Sequence, residues 1–92
     1  MKSNKLYANT VEITSHYLGP SADRFINRQI RNHLGKDPED LVSEDLLQLI
    51  DWIRIAMVFL TDDDDIINEY LNSLQQLATK RWRKFGYGRN NK

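Results

Sequence analysis

The stretch SEDLLQLIDWIRIAMVFL, residues 43–60, decides the fold of this chain. It opens with Ser43, whose hydroxyl suits the first position of a helix because it can accept a hydrogen bond from a free backbone amide. The apolar residues that follow are spaced so closely that they cover nearly the whole circumference of a helix. A helix that is apolar on every side is surrounded by protein. The sequence therefore predicts a helix from Glu44 to about Leu60 at the centre of the fold.

The chain is too short to enclose such a helix by itself. Its 92 residues, 40% of them apolar, suit one domain with a modest core. The other helices of so small a domain would leave part of the central helix uncovered, so we expect a homo-oligomer, most simply a dimer. The residues expected at its interface are Trp52, Ile55, Met57 and Val58.

The N-terminal part of the chain shows two further elements. Asn9 or Thr10 is a candidate cap for a short helix, and a short strand is the alternative because β-branched residues follow. Residues 20–34 place apolar side chains at intervals of three and four, which is typical of one buried helical face. Gly35 then suits the C-terminal cap of that helix, since glycine adopts the left-handed conformation without strain.

A fourth helical segment follows the helix 44–60. Thr61 or Asp62 is expected to cap it, with the next aspartates in its first turn, where they stabilise the positive end of the helix dipole. Its apolar stripe reaches Trp82, and two nearby glycines predict an end near Phe85.

Together these elements predict an all-α fold, a small helical bundle of three long helices plus a short N-terminal helix. We expect residues 1–8 to be frayed, residues 9–85 to form the helical domain and residues 86–92 to be a flexible basic tail. No apolar run approaches the roughly 20 residues of a membrane span, and residues 1–5 lead into no apolar signal region. We therefore expect a cytoplasmic protein.

Charge is segregated along the chain although the net charge is zero. Residues 1–36 carry a balance of +4, residues 37–69 a balance of −10, and residues 70–92 a balance of +6. This pattern favours pairing between segments or between chains, and it argues against a uniformly basic nucleic-acid-binding protein.

Two basic groups are candidate binding sites. Arg24, Arg28 and Arg31 share one face of a helix and could bind phosphate or carboxylate groups. The alternative is a solvated face that pairs with the acidic middle segment. The C-terminal segment interleaves cations with aromatic rings, a pattern that suits a phosphate backbone or an anionic membrane surface as well as a helix end. Its candidate residues are Lys80, Arg81, Arg83, Lys84, Phe85, Tyr87 and Arg89.

The sequence offers no arrangement of residues that points to catalysis, so we expect no enzyme and no cofactor. There is no cysteine, and no glycine pattern matches a phosphate-binding loop. The run Asp62–Asp65 lacks the glycine and the glutamate spacing of a calcium-binding loop, so we expect no metal site.

One short motif resembles a known module. Tyr17-Leu18-Gly19-Pro20-Ser21-Ala22, followed by an amphipathic helix and a leucine-rich helix, resembles the small helical domain with a Tyr-Ile/Leu-Gly-Pro-x-Ala motif in bacterial signalling and regulatory proteins. The resemblance covers roughly residues 11–75 and implies a bacterial regulatory setting with protein contacts rather than chemistry. We therefore predict a small protein-interaction module, a self-associating adaptor or regulator. The alternative is a nucleic-acid-binding regulator that uses the arginine face and the basic C-terminal segment.

Overall fold

The protein folds into α-helices joined by short turns. The computed structural model describes the backbone of residues 4–90 and the side chains of residues 4–79. Its helices are α1 Lys5–Leu18, α2 Ala22–Leu34, α3 Ser43–Leu60 and α4 Asp64–Asn90. Single 3₁₀ turns at Gly19–Ser21 and Pro38–Asp40 connect α1 to α2 and α2 to α3. Residues 4–90 contain no strand, so the predicted all-α class is confirmed.

The helices form a closed ring around one core. Each helix packs against its neighbours along the chain, and α4 closes the ring by packing against α1. The core side chains come from α2, α3, α4 and the turn before α3: Ile26, Ile30, Leu41, Leu49, Ile50, Ile53, Met57, Ile67, Tyr70, Leu71 and Leu74. The prediction of a central α3 is wrong, because α3 is one member of the ring and buries only one face. Helix α1 packs partly buried apolar side chains against the core that the other three helices form, so four helices surround one core and none lies at its centre.

The N-terminal helix is longer than predicted because Asn4 starts it. The Asn4 Oδ1 accepts a hydrogen bond from the Tyr7 amide at 2.9 Å, and α1 then runs for 14 residues, one more than α2. The same side chain uses Nδ2 to donate to three backbone carbonyls of residues 38–41 at 2.9 to 3.3 Å. Residues 5–8 are thus helical rather than frayed, and neither Asn9 nor Thr10 is the cap.

Two predicted helix boundaries between α2 and α3 hold closely. Gly35 takes the left-handed conformation, with φ 63° and ψ 32°, at the end of α2, as predicted. The cap of α3 is Val42 rather than Ser43, since Val42 is extended and the Asp45 carboxylate accepts from its amide at 3.1 Å. The carboxylate also pairs with the Lys36 ammonium at 2.6 Å, which fixes the loop before α3.

The aspartate run forms the start of α4. Asp63 caps the helix, because its Oδ1 accepts from the amides of Asp65 at 3.0 Å and Ile66 at 3.3 Å. The predicted cap, Thr61 or Asp62, lies one or two residues too early. The helical backbone continues to Asn90, beyond the predicted end near Phe85.

None of the helices within residues 4–90 has the combination of length and apolar content that a bilayer-spanning segment needs.

Candidate interaction surface

Helix α3 has two apolar faces, and the protein covers only one of them. The covered face repeats at intervals of three and four residues and packs towards α2 and α4. Its side chains are Leu46, Leu49, Ile50, Ile53 and Met57, each no more than 9% exposed. This face alone accounts for the packing of α3 against the core. The apolar residues on the opposite face therefore need another explanation.

The opposite face carries most of its exposed apolar residues in the C-terminal half of α3, and Leu47 is the exposed apolar residue of its N-terminal half. Four side chains of the C-terminal half, which we name the α3 patch, are half or more exposed or close to it: Trp52 45%, Ile55 52%, Val58 58% and Phe59 84%. The N-terminal half of the same face also carries Glu44, Gln48 and Asp51, all of them exposed. Four large side chains at this exposure present apolar surface on the order of 400–500 Å². A patch of that size lies within the range of the largest apolar patch on a typical monomeric protein, and such patches are often functional.

The tryptophan of the α3 patch is held by a contact from α2. The His33 imidazole stacks on the Trp52 indole with 4.1 Å between ring centroids and 7° between the ring planes. By helical spacing His33 shares the face of Ile26 and Ile30, but unlike them its side chain is exposed. The stack restricts the rotamers of Trp52 and presents its exposed surface in one orientation.

Three of the four residues predicted for an oligomer interface lie in the α3 patch. Trp52, Ile55 and Val58 are exposed, and their role in an interface stays a prediction. Met57 is only 2% exposed and belongs to the core, so its assignment to the interface is corrected. Phe59, the most exposed of the large apolar side chains described, was missed. Its spacing of i, i+3, i+7 with Trp52 and Ile55 is the signal that identifies it.

The arginine face of α2 is exposed as expected, but part of its charge is compensated. Arg31 donates to the Asn27 Oδ1 at 2.7 Å and forms an ion pair with Asp37 at 3.2 Å. Arg24 and Arg28 make no ion pair with any side chain described between residues 4 and 79. The three arginines line a shallow depression on α2 with the residues Asp23, Asn27 and Asn32.

The acid of this depression has a fixed partner on α1. The Tyr7 hydroxyl donates a short hydrogen bond to the Asp23 carboxylate. Burial of Tyr7, together with this hydrogen bond and the negative charge of Asp23, raises the pKa of Tyr7 to about 12. The contact ties α1 to α2 and leaves a negative charge beside Arg24.

The basic C-terminal segment falls outside the described side chains. Its predicted binding residues, from Lys80 to Arg89, lie on the helical backbone of α4 but beyond Thr79, where the described side chains end. Their role therefore stays a prediction.

Metal-binding chemistry finds no geometric support in the described part of the chain. Between residues 4 and 79, no three histidine or carboxylate side chains gather in a way that could hold a metal ion. The aspartate run, the richest source of oxygen ligands, is used at Asp63 for capping α4.

We find no match for the chain among protein-family models, curated proteins or solved structures. The motif that resembles the bacterial signalling module forms the junction of α1 and α2, where Gly19 has φ 64°. Tyr17 packs against Tyr70 with 4.9 Å between ring centroids, and Ala22 is 1% exposed. The motif residues thus shape the fold, and membership of that family stays a prediction.

Proposed function

We propose that the protein is a small protein-interaction module, an adaptor or regulator without catalysis, that binds through the α3 patch. One observation carries the proposal: a folded core is complete on one face of α3, while four large apolar side chains stand exposed on the other. Exposure of this much apolar surface costs free energy in water, and a protein partner that covers it recovers that energy.

The charges around the α3 patch favour a protein partner over a polyanion. Glu44 and Asp51 share its helix face, the exposed Arg54 lies beside Ile55, and the exposed run Asp62–Asp65 follows its C-terminal end, so the border is negative on balance. This negative border repels nucleic acid and anionic lipid headgroups. A partner with an apolar centre and a neutral or basic border fits the surface.

A binding experiment with matched surface variants tests the proposal. Partners are captured with tagged wild-type protein and with the Phe59→Ser and Leu47→Ser variants, and they are compared by quantitative mass spectrometry. The affinity of each purified candidate for the three proteins is then measured by calorimetric titration. Leu47 is the matched control because it is a 42% exposed apolar residue of α3 outside the patch. We expect a partner that binds wild type and Leu47→Ser alike and binds Phe59→Ser at least tenfold more weakly. Equal binding of all three proteins would contradict the proposal.

A second candidate function, nucleic-acid binding, is favoured by Arg24 and Arg28, which are exposed and without an ion pair among residues 4–79. Phosphate contacts release counterions, so the affinity for a mixed-sequence DNA or RNA duplex would fall steeply between 50 and 200 mM salt, as is general for such contacts. The double variant Arg24→Gln, Arg28→Gln should then lower both the affinity and its salt dependence. Unchanged binding by that variant, or none at low salt, would contradict this candidate.

The bacterial setting that we propose rests on the resemblance of residues 17–22 to the signalling module, and the cytoplasmic location is a separate proposal. Expression of the tagged chain in a bacterium, followed by fractionation, tests it. Recovery with the membrane or periplasmic fraction would count against a cytoplasmic adaptor.

A further inference from the structure

We propose that the partner of the α3 patch is a basic amphipathic helix of another protein, which covers the patch with its apolar stripe and places arginine or lysine side chains in an acidic groove between α3 and α4. This inference rests on the proposed function, because it takes the α3 patch to be a protein-binding surface. It adds the chemistry of the partner and a second region of contact.

The groove lies beside the α3 patch, on the side of α3 that faces α4. It is an open groove of about 540 Å³, lined by Arg54 of α3 and by Asp65 and Glu69 of α4 together with amide side chains of the same helix. Arg54 precedes Val58 of the patch by four residues, so the two are neighbours on the surface of α3. The patch and the groove, which we name the α3–α4 groove, therefore form one continuous surface.

The α3–α4 groove has the chemistry to receive a long basic side chain. Ile50 and Leu71 form its apolar floor, against which the aliphatic part of a lysine or arginine can pack. Asp65 and Glu69 stand one turn apart on α4, and their carboxylates can accept hydrogen bonds from the charged end. Neither carboxylate forms an ion pair with any side chain described between residues 4 and 79, although Arg54 lines the same groove. Both are therefore available to a partner.

The charge around this surface favours a basic partner over an acidic protein or a second copy of the chain. Asp51, the run Asp62–Asp65 and Glu69 are negative and exposed, and they outweigh the positive charge of Arg54. A second copy would place these like charges near each other, which opposes association. A cationic segment is attracted by the same charges and gains both rate and specificity from them.

The backbone of the protein favours a helix as the form of the partner. The exposed surface of α3 consists of side chains, because its amides and carbonyls bond within the helix, and residues 4–90 offer no strand edge. A segment that covers the patch must satisfy its own backbone hydrogen bonds, which an α-helix does. Trp52, Ile55 and Phe59 follow one line of α3 over about 10.5 Å, a length that matches two turns of a partner helix.

The two edges of the surface differ, and the difference orients the partner. Trp52 lies at the edge towards α2, where the His33 imidazole stacks on it at 4.1 Å between ring centroids. The indole is thus held in one orientation before binding and loses little conformational freedom when a partner covers it. The opposite edge is the acidic α3–α4 groove. We therefore expect the basic side chains of the partner helix to lie on its α4 side only.

Titration of the full chain with synthetic peptides tests the inference. The probe is a fluorescently labelled peptide of about 18 residues, with a leucine stripe at helical spacing and with lysine and arginine along one flank of the stripe. The matched control peptide keeps the leucines and carries glutamate at every basic position. We expect fluorescence anisotropy to show about tenfold tighter binding of the basic peptide, and an affinity that falls as salt rises from about 50 to about 500 mM.

Variants of the chain locate the contact. Phe59→Ser should weaken binding of the basic peptide about tenfold, because it removes the most exposed large apolar side chain of the patch. Glu69→Gln should weaken it about two- to fivefold at low salt, the range of an exposed ion pair, and less at high salt. Leu47→Ser and Glu12→Gln are the matched controls, since Leu47 lies outside the patch and Glu12 is an exposed acid of α1. Both should leave the affinity unchanged, and circular dichroism confirms that each variant keeps its helical content.

Four results would overturn the inference: no binding of the basic peptide, equal binding of the two peptides, a Glu69→Gln variant that binds like Glu12→Gln, or sedimentation of the chain alone as a dimer that Phe59→Ser dissociates, because a second copy would then occupy the patch. None of them contradicts the proposed function, which stands or falls with the capture of a protein that depends on Phe59. A captured protein that depends on Phe59 but binds Glu69→Gln as tightly as wild type would support the proposed function and refute this inference.

Discussion

A hydrogen bond between α1 and α4 gives the sharpest test of how the ring of helices is held together. The hydroxyls of Thr14 and Tyr70 lie 2.7 Å apart, and both residues are fully buried. Thr14 donates its one hydroxyl hydrogen to the carbonyl of Thr10 at 2.8 Å. Tyr70 is therefore the donor between the two hydroxyls, and Thr14 is the acceptor.

This assignment makes the two single variants unequal. Tyr70→Phe removes the donor and leaves Thr14 with its bond to Thr10, so it should cost about 1 kcal/mol of unfolding free energy. Thr14→Val leaves the buried hydroxyl of Tyr70 without an acceptor and should cost about 2–3 kcal/mol. In the double variant both polar groups are gone, so its cost should fall short of the sum of the single costs by about 1–2 kcal/mol.

Urea unfolding followed by circular dichroism measures these differences. With a denaturant slope of about 1–2 kcal/mol per molar for a chain of this size, 1 kcal/mol moves the midpoint by about 0.5–1 M. Additive costs in the double variant, or a Tyr70→Phe variant more damaged than Thr14→Val, would refute the assignment of donor and acceptor.

Three further predictions concern stability. Asn4→Ala should lower the unfolding free energy, measured in urea, by about 2 kcal/mol because it removes both the cap and the hydrogen bonds to residues 38–41. Asn4→Asp keeps the cap but places a carboxylate next to those carbonyls. Wild-type stability in that variant would contradict the role of Nδ2. Burial raises the pKa of Tyr70 to about 12, whereas tyrosine in the unfolded state has a pKa near 10 and loses its proton first as the pH rises. The contribution of Tyr70 to the unfolding free energy should therefore be constant below about pH 10 and fall by about 2–3 kcal/mol as the pH approaches 12. Titration of unfolding from pH 8 to 11.5 checks this, and an equally steep fall in Tyr70→Phe would exclude Tyr70 as the cause. Gly35→Ala should lower the unfolding free energy by about 1 kcal/mol through its φ of 63° alone, since the added methyl group has open space; Gly35→Asn should cost less, and equal costs in thermal unfolding would point to another origin.

Helix ends were predictable where one residue carries the signal and less so where several compete. Gly35 is the one glycine near the end of α2, and it forms the cap. At the start of α3, both Ser43 and Val42 are possible caps. The hydrogen bond from the Val42 amide to the Asp45 carboxylate decides for Val42. The start of α1 depends on Asn4, which caps the helix locally and also donates to carbonyls more than 30 residues away, and no local pattern contains the distant contacts.

The interaction surface was predictable in part for a related reason. The sequence pattern named Trp52, Ile55 and Val58 as interface residues of α3 and missed Phe59. It also included Met57, which composition could not separate from them. Likewise helical spacing alone cannot distinguish His33 from Ile26 and Ile30, which share its face of α2, although His33 stacks on Trp52 at the surface.

The amino-acid sequence alone determined that the chain is all-α and that residues 46–60 carry more apolar side chains than one helix face can hold. Only the tertiary structure decided which of those side chains are buried. The hydrophobicity of a side chain determines how strongly it favours burial, but not which neighbouring element will bury it. That choice follows from the turns that place α2 and α4 against the Ile53 side of α3, and they leave the Phe59 side open.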